Sequence, residues 1–324
     1  MEKSVQLLQG AQRILLLPHV KPDGDALGSC FALQRALTLL GKEVYIQLEE
    51  PELPARYAFL CEDFAKAPAE FAPQLVVALD CGERHMLESR GEEYPDIHLS
   101  IDHHRSNTHF GGHNWVEESA AATGELIYDL IGALGVELDR EMALCLYVAL
   151  SSDTGCFKFS NTTEKSFLIG AHLRRVYGSF DKINYRLFTM RTPQEMAVER
   201  YIMQTLEFCE EGRIASIVIT QEMRRATGAG DDDIGGFAQL PRSIQGVDVG
   251  VTFKEDEKGG WRISMRSNEL VDVSAVCRRL GGGGHIRASG CQAQGTLEEV
   301  KALVLGEAAR ALHEVLREGE AHER

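Results

Sequence analysis

Residues 97–104 read Ile-His-Leu-Ser-Ile-Asp-His-His, an apolar run that ends in three ionisable side chains. Other apolar segments lead into acidic or imidazole groups in the same way: residues 14–17 lead to His19, Asp23 and Asp25, residues 75–79 lead to Asp80, and a helical stretch leads to Asp153. Short apolar runs of this kind are typical of buried strands. Ionisable groups at the ends of several such runs predict one polar pocket on a rigid sheet, and a metal site is the first chemistry to test.

The first half of the chain alternates apolar runs with amphipathic helical stretches. The pattern predicts strands over residues 13–18, 44–48, 75–80 and 97–102, and helices over residues 26–40, 124–134, 140–151 and 165–176. Strands separated by helices are typical of a parallel α/β sheet. We therefore expect an α/β N-terminal domain built on a parallel sheet.

The second half predicts a smaller α/β domain. A helical segment over residues 183–208 contains the break Arg191-Thr192-Pro193, where we place the connection between domains. Beyond it the pattern predicts strands over residues 213–220, 247–253 and 261–266, and helices over residues 273–280 and 297–316. The expected boundaries are residues 1–185 for the first domain, 186–208 for a helical connection and 209–324 for the second domain, with an active-site cleft between the domains.

Composition and charge narrow the class of protein. The 324 residues suffice for two domains, and the formal net charge of −15 disfavours non-specific binding to long or duplex nucleic acid. No apolar run approaches membrane-spanning length and the N-terminus lacks a signal pattern, so we expect a cytoplasmic protein that binds no membrane. The eight cysteines are scattered without a CxxC pair, which argues against a disulfide framework and against a thiolate zinc site.

The acidic and imidazole side chains match the preferences of hard divalent cations. Ligands of open α/β sheets bind beyond the carboxyl ends of the strands, where these groups are expected. Mn²⁺ and Mg²⁺ prefer carboxylate oxygen with some imidazole. Five carboxylates and three imidazoles exceed what one ion needs, so two ions that share a bridging carboxylate are the economical interpretation. Such pairs lie ~3.5–4 Å apart and clamp the attacking and leaving oxygens of a phosphoryl displacement.

Each feature also has a structural alternative. Asp23-Gly24-Asp25 follows a proline and is typical of a turn, and Asp80 at a strand end could cap a helix. A His-His pair is often no more than two exposed polar side chains, and Asp153 could cap the turn before Thr154-Gly155. The joint placement of these groups favours a site, although each one by itself is a weak signal.

A glycine run, residues 281–284, precedes His285. Consecutive glycines let the backbone approach a ligand and present N–H groups to phosphate oxygens. The run is not a P-loop, since no Lys-Ser or Lys-Thr follows, and its spacing fails the dinucleotide fingerprint. A flexible connection from helix to strand is the alternative. Anion recognition is favoured because five arginines, among them Arg266 and Arg287, face only two acidic residues between residues 261 and 290.

The combined pattern resembles the ordered motifs of the DHH phosphoesterase superfamily. These motifs read His19-x-x-x-Asp23-x-Asp25-x-x-Gly28-Ser29, Asp80, Asp102-His103-His104 and Asp153. The Gly-Gly-Gly-Gly-His run resembles the signature of the DHHA1 domain that follows the DHH domain. The resemblance covers nearly the whole chain, and residues 23–29, 157–162 and 281–285 are most similar to the nano-RNase/pAp-phosphatase (NrnA-type) branch.

The resemblance implies two divalent cations, with Mn²⁺ expected first and Mg²⁺ or Co²⁺ as alternatives. It implies that His19, Asp23 and Asp80 hold one ion, and that Asp25, Asp80, His103 and Asp153 hold the other. Asp80 then bridges the two ions, His104 faces the substrate phosphate, and Asp102 orients the pocket from behind.

The second domain is expected to bind the nucleotide end of the substrate. The residues implied are Arg266, Gly282, Gly283, Gly284 and His285, to which we add Arg287 and Lys158. Lys158 stands where relatives often carry arginine, so a bidentate phosphate contact there becomes a point charge.

The expected function is metal-dependent hydrolysis of short oligoribonucleotides to mononucleotides, together with dephosphorylation of 3′-phosphoadenosine 5′-phosphate (pAp). A phosphodiesterase for cyclic dinucleotides, or for their linear products pApA and pGpG, is the alternative, since the same centre serves either. An inorganic pyrophosphatase would lack the glycine run. A non-catalytic nucleotide-binding module would have lost ligands, yet every expected ligand is present. The expected partners are short single-stranded RNA or small nucleotides, and a homodimer is left open.

Overall fold

A computed structural model of the chain describes residues 1–50, 52–61, 67–68 and 70–322. The chain divides into two compact units, Met1–Met190 and Arg191–Arg324. Among the described residues, every helix is too short or too polar to cross a bilayer. All eight cysteines are free thiols.

The first unit contains a five-stranded sheet in which every pair of neighbours is parallel. Its strands are β1 (Arg13–Pro18), β2 (Glu43–Ile46), β3 (Leu75–Leu79), β4 (Leu99–Asp102) and β5 (His113–Val116), in the order β2-β1-β3-β4-β5. Leu16 and Val77 face one core of this unit, whereas Leu15 and Val76 face the other. The predicted parallel sheet is confirmed. The sequence pattern missed β5, because this half-buried edge strand has only one aliphatic residue, Val116.

The helices of the first unit cover both faces of the sheet. They are α1 (Glu2–Gly10), α2 (Gly24–Leu39), α3 (Ser89–Glu93), α4 (Thr123–Ala133), α5 (Arg140–Asp153), α6 (Glu164–Tyr177) and α7 (Asp181–Asn184). Helices α2 and α5 meet almost backbone to backbone at Gly28, where an added Cβ would lie 2.3 Å from the Cys145 carbonyl oxygen. This approach aligns the first turn of α2 with the last turn of α5, so that Asp25 and Asp153 face one another.

The second unit contains a six-stranded mixed sheet in the order β10-β11-β9-β8-β7-β6. Its strands are β6 (Glu207–Cys209), β7 (Ile214–Ile219), β8 (Val249–Glu255), β9 (Trp261–Ser267), β10 (Gly283–His285) and β11 (Ala288–Ala293). Its helices are α8 (Pro193–Ile202), α9 (Gln221–Thr227), α10 (Asp231–Ile234), α11 (Val273–Arg279) and α12 (Leu297–His322). Val251, Phe253, Ile263 and Met265 form a core with α11 and α12.

The glycine run is not a flexible connection from helix to strand. Its last residues form the edge strand β10, which pairs in an antiparallel register with β11. The pattern missed both strands because glycine is depleted in strands and gives no apolar alternation. Only glycine fits at position 282, because a Cβ there would lie 2.1 Å from the Gly290 carbonyl oxygen.

Candidate functional site

The carboxyl ends of three parallel strands bring the predicted ionisable groups together. His19 follows β1, Asp80 follows β3 and His103 follows β4. The structure contains three sets of potential ligand atoms, and within each set the atoms lie within 4.8 Å of one another. The sets are His19 with Asp23 and Asp80, Asp25 with His103 and Asp153, and Asp80 with His103 and His104. The first set contains the three residues that the resemblance implies for one ion. The second contains three of the four implied for the other ion, and the third set brings the fourth, Asp80, next to His103.

The first set lies where the chain leaves β1 and enters α2. His19 Nε2 lies 3.9 Å from both Asp23 Oδ1 and Asp80 Oδ2. Asp23 also caps α2, since its Oδ1 accepts hydrogen bonds from the backbone N–H groups of Asp25 and Ala26. The turn alternative for this segment and its role in a site are therefore compatible. The Asp23 side chain remains 52% exposed, which leaves this set open to solvent.

The second set is buried more deeply. His103 Nε2 lies 3.2 Å from Asp153 Oδ2, 3.8 Å from Asp25 Oδ2 and 3.7 Å from Asp80 Oδ1. None of these approaches has hydrogen-bond geometry, so this buried nitrogen has no hydrogen-bond partner among the described residues. A buried polar atom without a partner is costly unless something else binds it. A divalent cation surrounded by these oxygens would satisfy it, so the residues fit a metal.

Both imidazoles are oriented for ligation through Nε2. The ring nitrogen Nδ1 of His19 lies 2.7 Å from the Val20 carbonyl oxygen, and Nδ1 of His103 lies 3.2 Å from the Ala120 carbonyl oxygen. A carbonyl can only accept, so these contacts place the proton of the neutral ring on Nδ1. The lone pair of Nε2 then points toward the carboxylates, as is usual for histidines that bind metals.

The charges of the site strongly perturb its titration in the absence of a cation. Burial alone would lower the pKa of His103, but the carboxylates, Asp153 foremost, outweigh it and raise that pKa to about 11. Burial would likewise lower the pKa of His19, which Asp23 and Asp80 raise to about 9. Burial, with the charge of Asp23, raises the pKa of Asp80 to about 6. Burial and then the charge of Asp80 raise the pKa of Asp25 well above its usual range. Protons held in this way are the ones that a cation would displace.

Thr123 and Gly124 position two of these carboxylates, and the sequence pattern missed this role. The backbone N–H of Thr123 donates to Asp25 Oδ2 at 2.6 Å, and that of Gly124 donates to Asp25 Oδ1 at 2.9 Å. The Thr123 hydroxyl donates to Asp80 Oδ1 at 2.9 Å. These N–H groups open α4, so the N-terminus of that helix stabilises the Asp25 charge. A Thr-Gly pair at the start of a helical pattern was the only available signal.

Asp80 has a backbone conformation that is uncommon for a residue with a side chain. Its φ is 56°, in the left-handed region. Such strain is typical of residues that the surrounding structure holds for a function. Here it turns the chain sharply at the end of β3 and directs the carboxylate toward all three histidines.

His104 belongs to a separate hydrogen-bonded chain behind the carboxylates. Its Nδ1 lies 2.7 Å from Oδ1 of the buried Asp102, and Asn107 Nδ2 donates to Oδ2 of the same carboxylate at 2.7 Å. Burial would raise the pKa of Asp102, but the contact with His104 outweighs burial and lowers it. Asp102 therefore remains ionised and holds the His104 ring. The sequence pattern missed Asn107, since asparagine after His-His has no distinguishing spacing.

The predicted substrate-binding residues of the second unit lie around β9, β10 and β11. Arg266 lies in β9, directly across from Ala288 in β11. Gly283, Gly284 and His285 form β10, and Gly282 precedes it. Lys158 belongs to the first unit, where it is exposed just after α5.

The arginines of the basic segment have different surroundings. Arg279 pairs with Glu307 at 2.6 Å, and Arg287 donates to the carbonyl oxygens of Val271 and Glu269. These two guanidinium groups thus brace the domain. The charge of Arg279 is offset by a carboxylate, whereas Arg287 is held by carbonyl oxygens and keeps its charge.

Two domain models match the chain. The DHH family, N-terminal domain, matches residues 13–150, and the DHHA1 domain matches residues 215–317. The matched ranges fall on the two units and contain Asp102-His103-His104 and the glycine run. Fold and site therefore define a two-domain protein of the DHH–DHHA1 class.

Sequence relatives place the chain more closely. It is 32% identical to the bifunctional oligoribonuclease and PAP phosphatase NrnA of Thermus thermophilus over 283 residues, which cover 87% of this chain and 84% of the relative. It is 28% identical to the NrnA of Bacillus subtilis, over 86% and 88% of the two chains. The chain belongs to the DHH/DHHA1 phosphoesterase family, in the branch that contains these proteins.

A solved structure supports the fold. An exopolyphosphatase-related protein from Bacteroides fragilis superposes with a TM-score of 0.83 and 22% identity, covering 97% of this chain and 95% of that chain. At this identity the similarity establishes the architecture.

Proposed function

We propose that this protein is a two-metal phosphoesterase that hydrolyses short oligoribonucleotides to mononucleotides and removes the 3′-phosphate of pAp. The observation that carries the proposal is the pair of ligand sets joined at Asp80 and His103, in a chain that is similar over 86–87% of its length to bifunctional oligoribonucleases and PAP phosphatases. His19, Asp23 and Asp80 would hold one cation. Asp25, Asp80, His103 and Asp153 would hold the other.

Mn²⁺ is the cation that we propose. The donor set combines carboxylate oxygen with imidazole nitrogen and contains no thiolate, which favours Mn²⁺ over zinc. Two imidazoles also favour Mn²⁺ over Mg²⁺, which prefers oxygen ligands and retains its water. When bound, a pair of such cations lowers the pKa of water and offsets charge on the reacting phosphate.

The chain's own residues supply position and charge for the reaction. Asp80 is held by the Thr123 hydroxyl and by its left-handed backbone, so that its two oxygens face different sets. Burial would lower the pKa of His104, but the contact of its Nδ1 with Asp102 outweighs burial and raises that pKa, so the protonated ring can also donate from Nε2 to a phosphate oxygen. A donor fixed in advance stabilises developing charge without reorganisation cost. His104 is the residue to which we assign this role.

The distribution of charged groups on the protein favours short substrates. Arg266 and the N–H groups of the glycine run would bind a phosphate that is not cleaved, while the carboxylate-rich centre would act on a different phosphate of the same substrate. The acidic exterior, with a net charge of −15, would repel long nucleic acid. Short, single-stranded and phosphate-rich substrates satisfy both conditions.

Turnover on a defined panel tests the proposal. Purified protein with Mn²⁺ should hydrolyse a linear diribonucleotide, a pentaribonucleotide and pAp, and should act poorly on a cyclic dinucleotide. Asp80→Asn should abolish turnover, because it removes a charge that both ligand sets share. Asp96→Asn, an identical change at an exposed position, should leave turnover unchanged. Parental turnover in Asp80→Asn would refute the two-metal site, and preference for the cyclic dinucleotide would favour the alternative substrate class.

A further inference from the structure

A second arginine lies beside Arg266, and neither the sequence motifs nor the family resemblance pointed to it. Arg266 in β9 pairs directly with Gly250 in β8. A Cβ on Gly250 would lie 2.5 Å from the backbone nitrogen of Arg242, so only glycine allows the Pro241–Ser243 turn to lie over this point of the sheet. The Arg242 side chain extends over the end of the next strand, where its Nη1 donates to the Ser267 carbonyl oxygen at 3.2 Å.

The two guanidinium groups lie close enough to repel one another. Burial lowers the pKa of Arg266, and the neighbouring charge of Arg242 lowers it further. Burial also lowers the pKa of Arg242. Arg266 forms no ion pair with any described residue, and its Nε is buried without a hydrogen-bond partner. Two partly desolvated like charges are unfavourable for stability, and such arrangements are typical of sites that bind an anion.

One further polar side chain lies on the same face of the sheet, beside the apolar cluster that contains Ile217 of β7. Side chains two residues apart on a strand share a face, so Thr252 lies on the Gly250 side of β8. The Thr252 hydroxyl is buried and has no hydrogen-bond partner among the described residues. Donor groups that remain unsatisfied beside two arginines suit a ligand that brings several acceptor oxygens. A phosphate monoester has three such oxygens and close to two negative charges at neutral pH.

We propose that Arg242 and Arg266 together bind the 5′-phosphate of the substrate, a proposal that rests on the function proposed above. In pAp and in a 5′-phosphorylated oligoribonucleotide, this phosphate is not the one cleaved. The planar forks of two arginines can contact different oxygens of one phosphate, which a lysine cannot reproduce. Arg242 then acts as a specificity residue for nucleotides that carry a 5′-phosphate.

Two substrates that differ only in this phosphate provide the test. The parental protein should have a higher kcat/KM for pAp than for adenosine 3′-phosphate. Arg242→Ala should lower kcat/KM for pAp about 10- to 100-fold, mainly through KM, because a hydrogen bond to a charged group is worth that much. The value for adenosine 3′-phosphate should stay within about twofold, since the contact is absent there. Arg225→Ala, which removes an exposed arginine of the same unit, should change neither value.

A second variant distinguishes loss of the phosphate contact from misfolding. Arg242→Lys keeps the charge and should retain the parental melting temperature, yet it should lose at least half of the free-energy preference for pAp. AMP, which keeps the 5′-phosphate, should inhibit Arg242→Ala about 10- to 100-fold more weakly than the parent, whereas adenosine should inhibit both equally.

The outcomes separate this proposal from the one on which it rests. Equal losses for pAp and adenosine 3′-phosphate in Arg242→Ala, or no loss for either, would overturn the role of Arg242 while leaving the phosphoesterase intact. No turnover of pAp or of a diribonucleotide by the parental protein would instead refute the proposed function. In that case, equal affinity of parent and Arg242→Ala for AMP in calorimetry would also refute the phosphate site.

Discussion

Replacing Gly28 by alanine tests how the fold holds the metal centre. The added Cβ would lie 2.3 Å from the Cys145 carbonyl oxygen and 2.9 Å from the Ala149 nitrogen, both backbone atoms that cannot rotate away. Ordinary contact begins at 3.4 Å, so α2 and α5 must separate by about 1 Å. This separation lies about one helical turn from Asp25 and from Asp153, which α2 and α5 contribute to the same ligand set.

The expected change in the free energy of unfolding combines a loss from overpacking with a gain from the higher helix propensity of alanine. Overpacking costs about 1–3 kcal/mol, while alanine in place of helical glycine returns about 1 kcal/mol. A net loss of about 1 kcal/mol lowers the melting temperature of a unit of this size by roughly 2–4 °C. Moving ligands by about 1 Å should lower kcat about 100-fold. The matched control is Gly132→Ala in α4, where nothing lies within 4 Å of the new Cβ, so its melting temperature should stay or rise at parental turnover.

Calorimetric melting of the metal-free protein and turnover of pAp with Mn²⁺ measure the two effects. If Gly28→Ala melts as high as Gly132→Ala and keeps parental turnover, close approach of α2 and α5 does not position the ligands.

Two further predictions concern the cations themselves. Thr123→Val removes the hydroxyl that donates to Asp80 without changing side-chain shape, so Mn²⁺ affinity measured by titration calorimetry should fall about 10- to 100-fold. Unchanged affinity would show that the backbone alone fixes Asp80. At pH 7.5 the raised pKa values of His19 (about 9) and His103 (about 11) keep both rings protonated without metal, whereas ligation needs neutral rings. Binding should therefore release about two protons, seen as buffer-dependent heats. Apparent affinity should rise with pH, more steeply below about 9, where both rings must lose a proton, than above it, where only His103 must. Heats independent of the buffer would contradict this titration.

Local pattern was sufficient for β1, β3 and β4 because these strands are buried on both faces, whereas it missed the half-buried β5. Such strands are near-continuous apolar runs, and β1 and β3 stand out for that reason. Parallel strands align their carboxyl ends, so the residues after them had to meet at one edge. The alignment of the strands therefore predicts that His19, Asp80 and His103 lie close together.

In the second unit the pattern found β7, β8 and β9 but missed β10 and β11, which are rich in small residues. The glycines of β10 have no side chains to alternate, and backbone pairing with β11 alone makes them a strand. The turn that carries Arg242 gave no signal either, because its place over the sheet depends on packing against Gly250 of a distant strand.

The sequence by itself determined the parallel sheet, the set of carboxylates and imidazoles, and the family to which they belong. Each depends on residue type and on spacing along the chain, which are local properties. Tertiary structure alone decided that Thr123 holds Asp25 from 98 residues away, and that Arg242 lies beside Arg266 across Gly250. Contacts of this kind arise from packing between distant elements. A threonine before a glycine, or an arginine after a proline, has no distinctive chemistry until the fold supplies its neighbour.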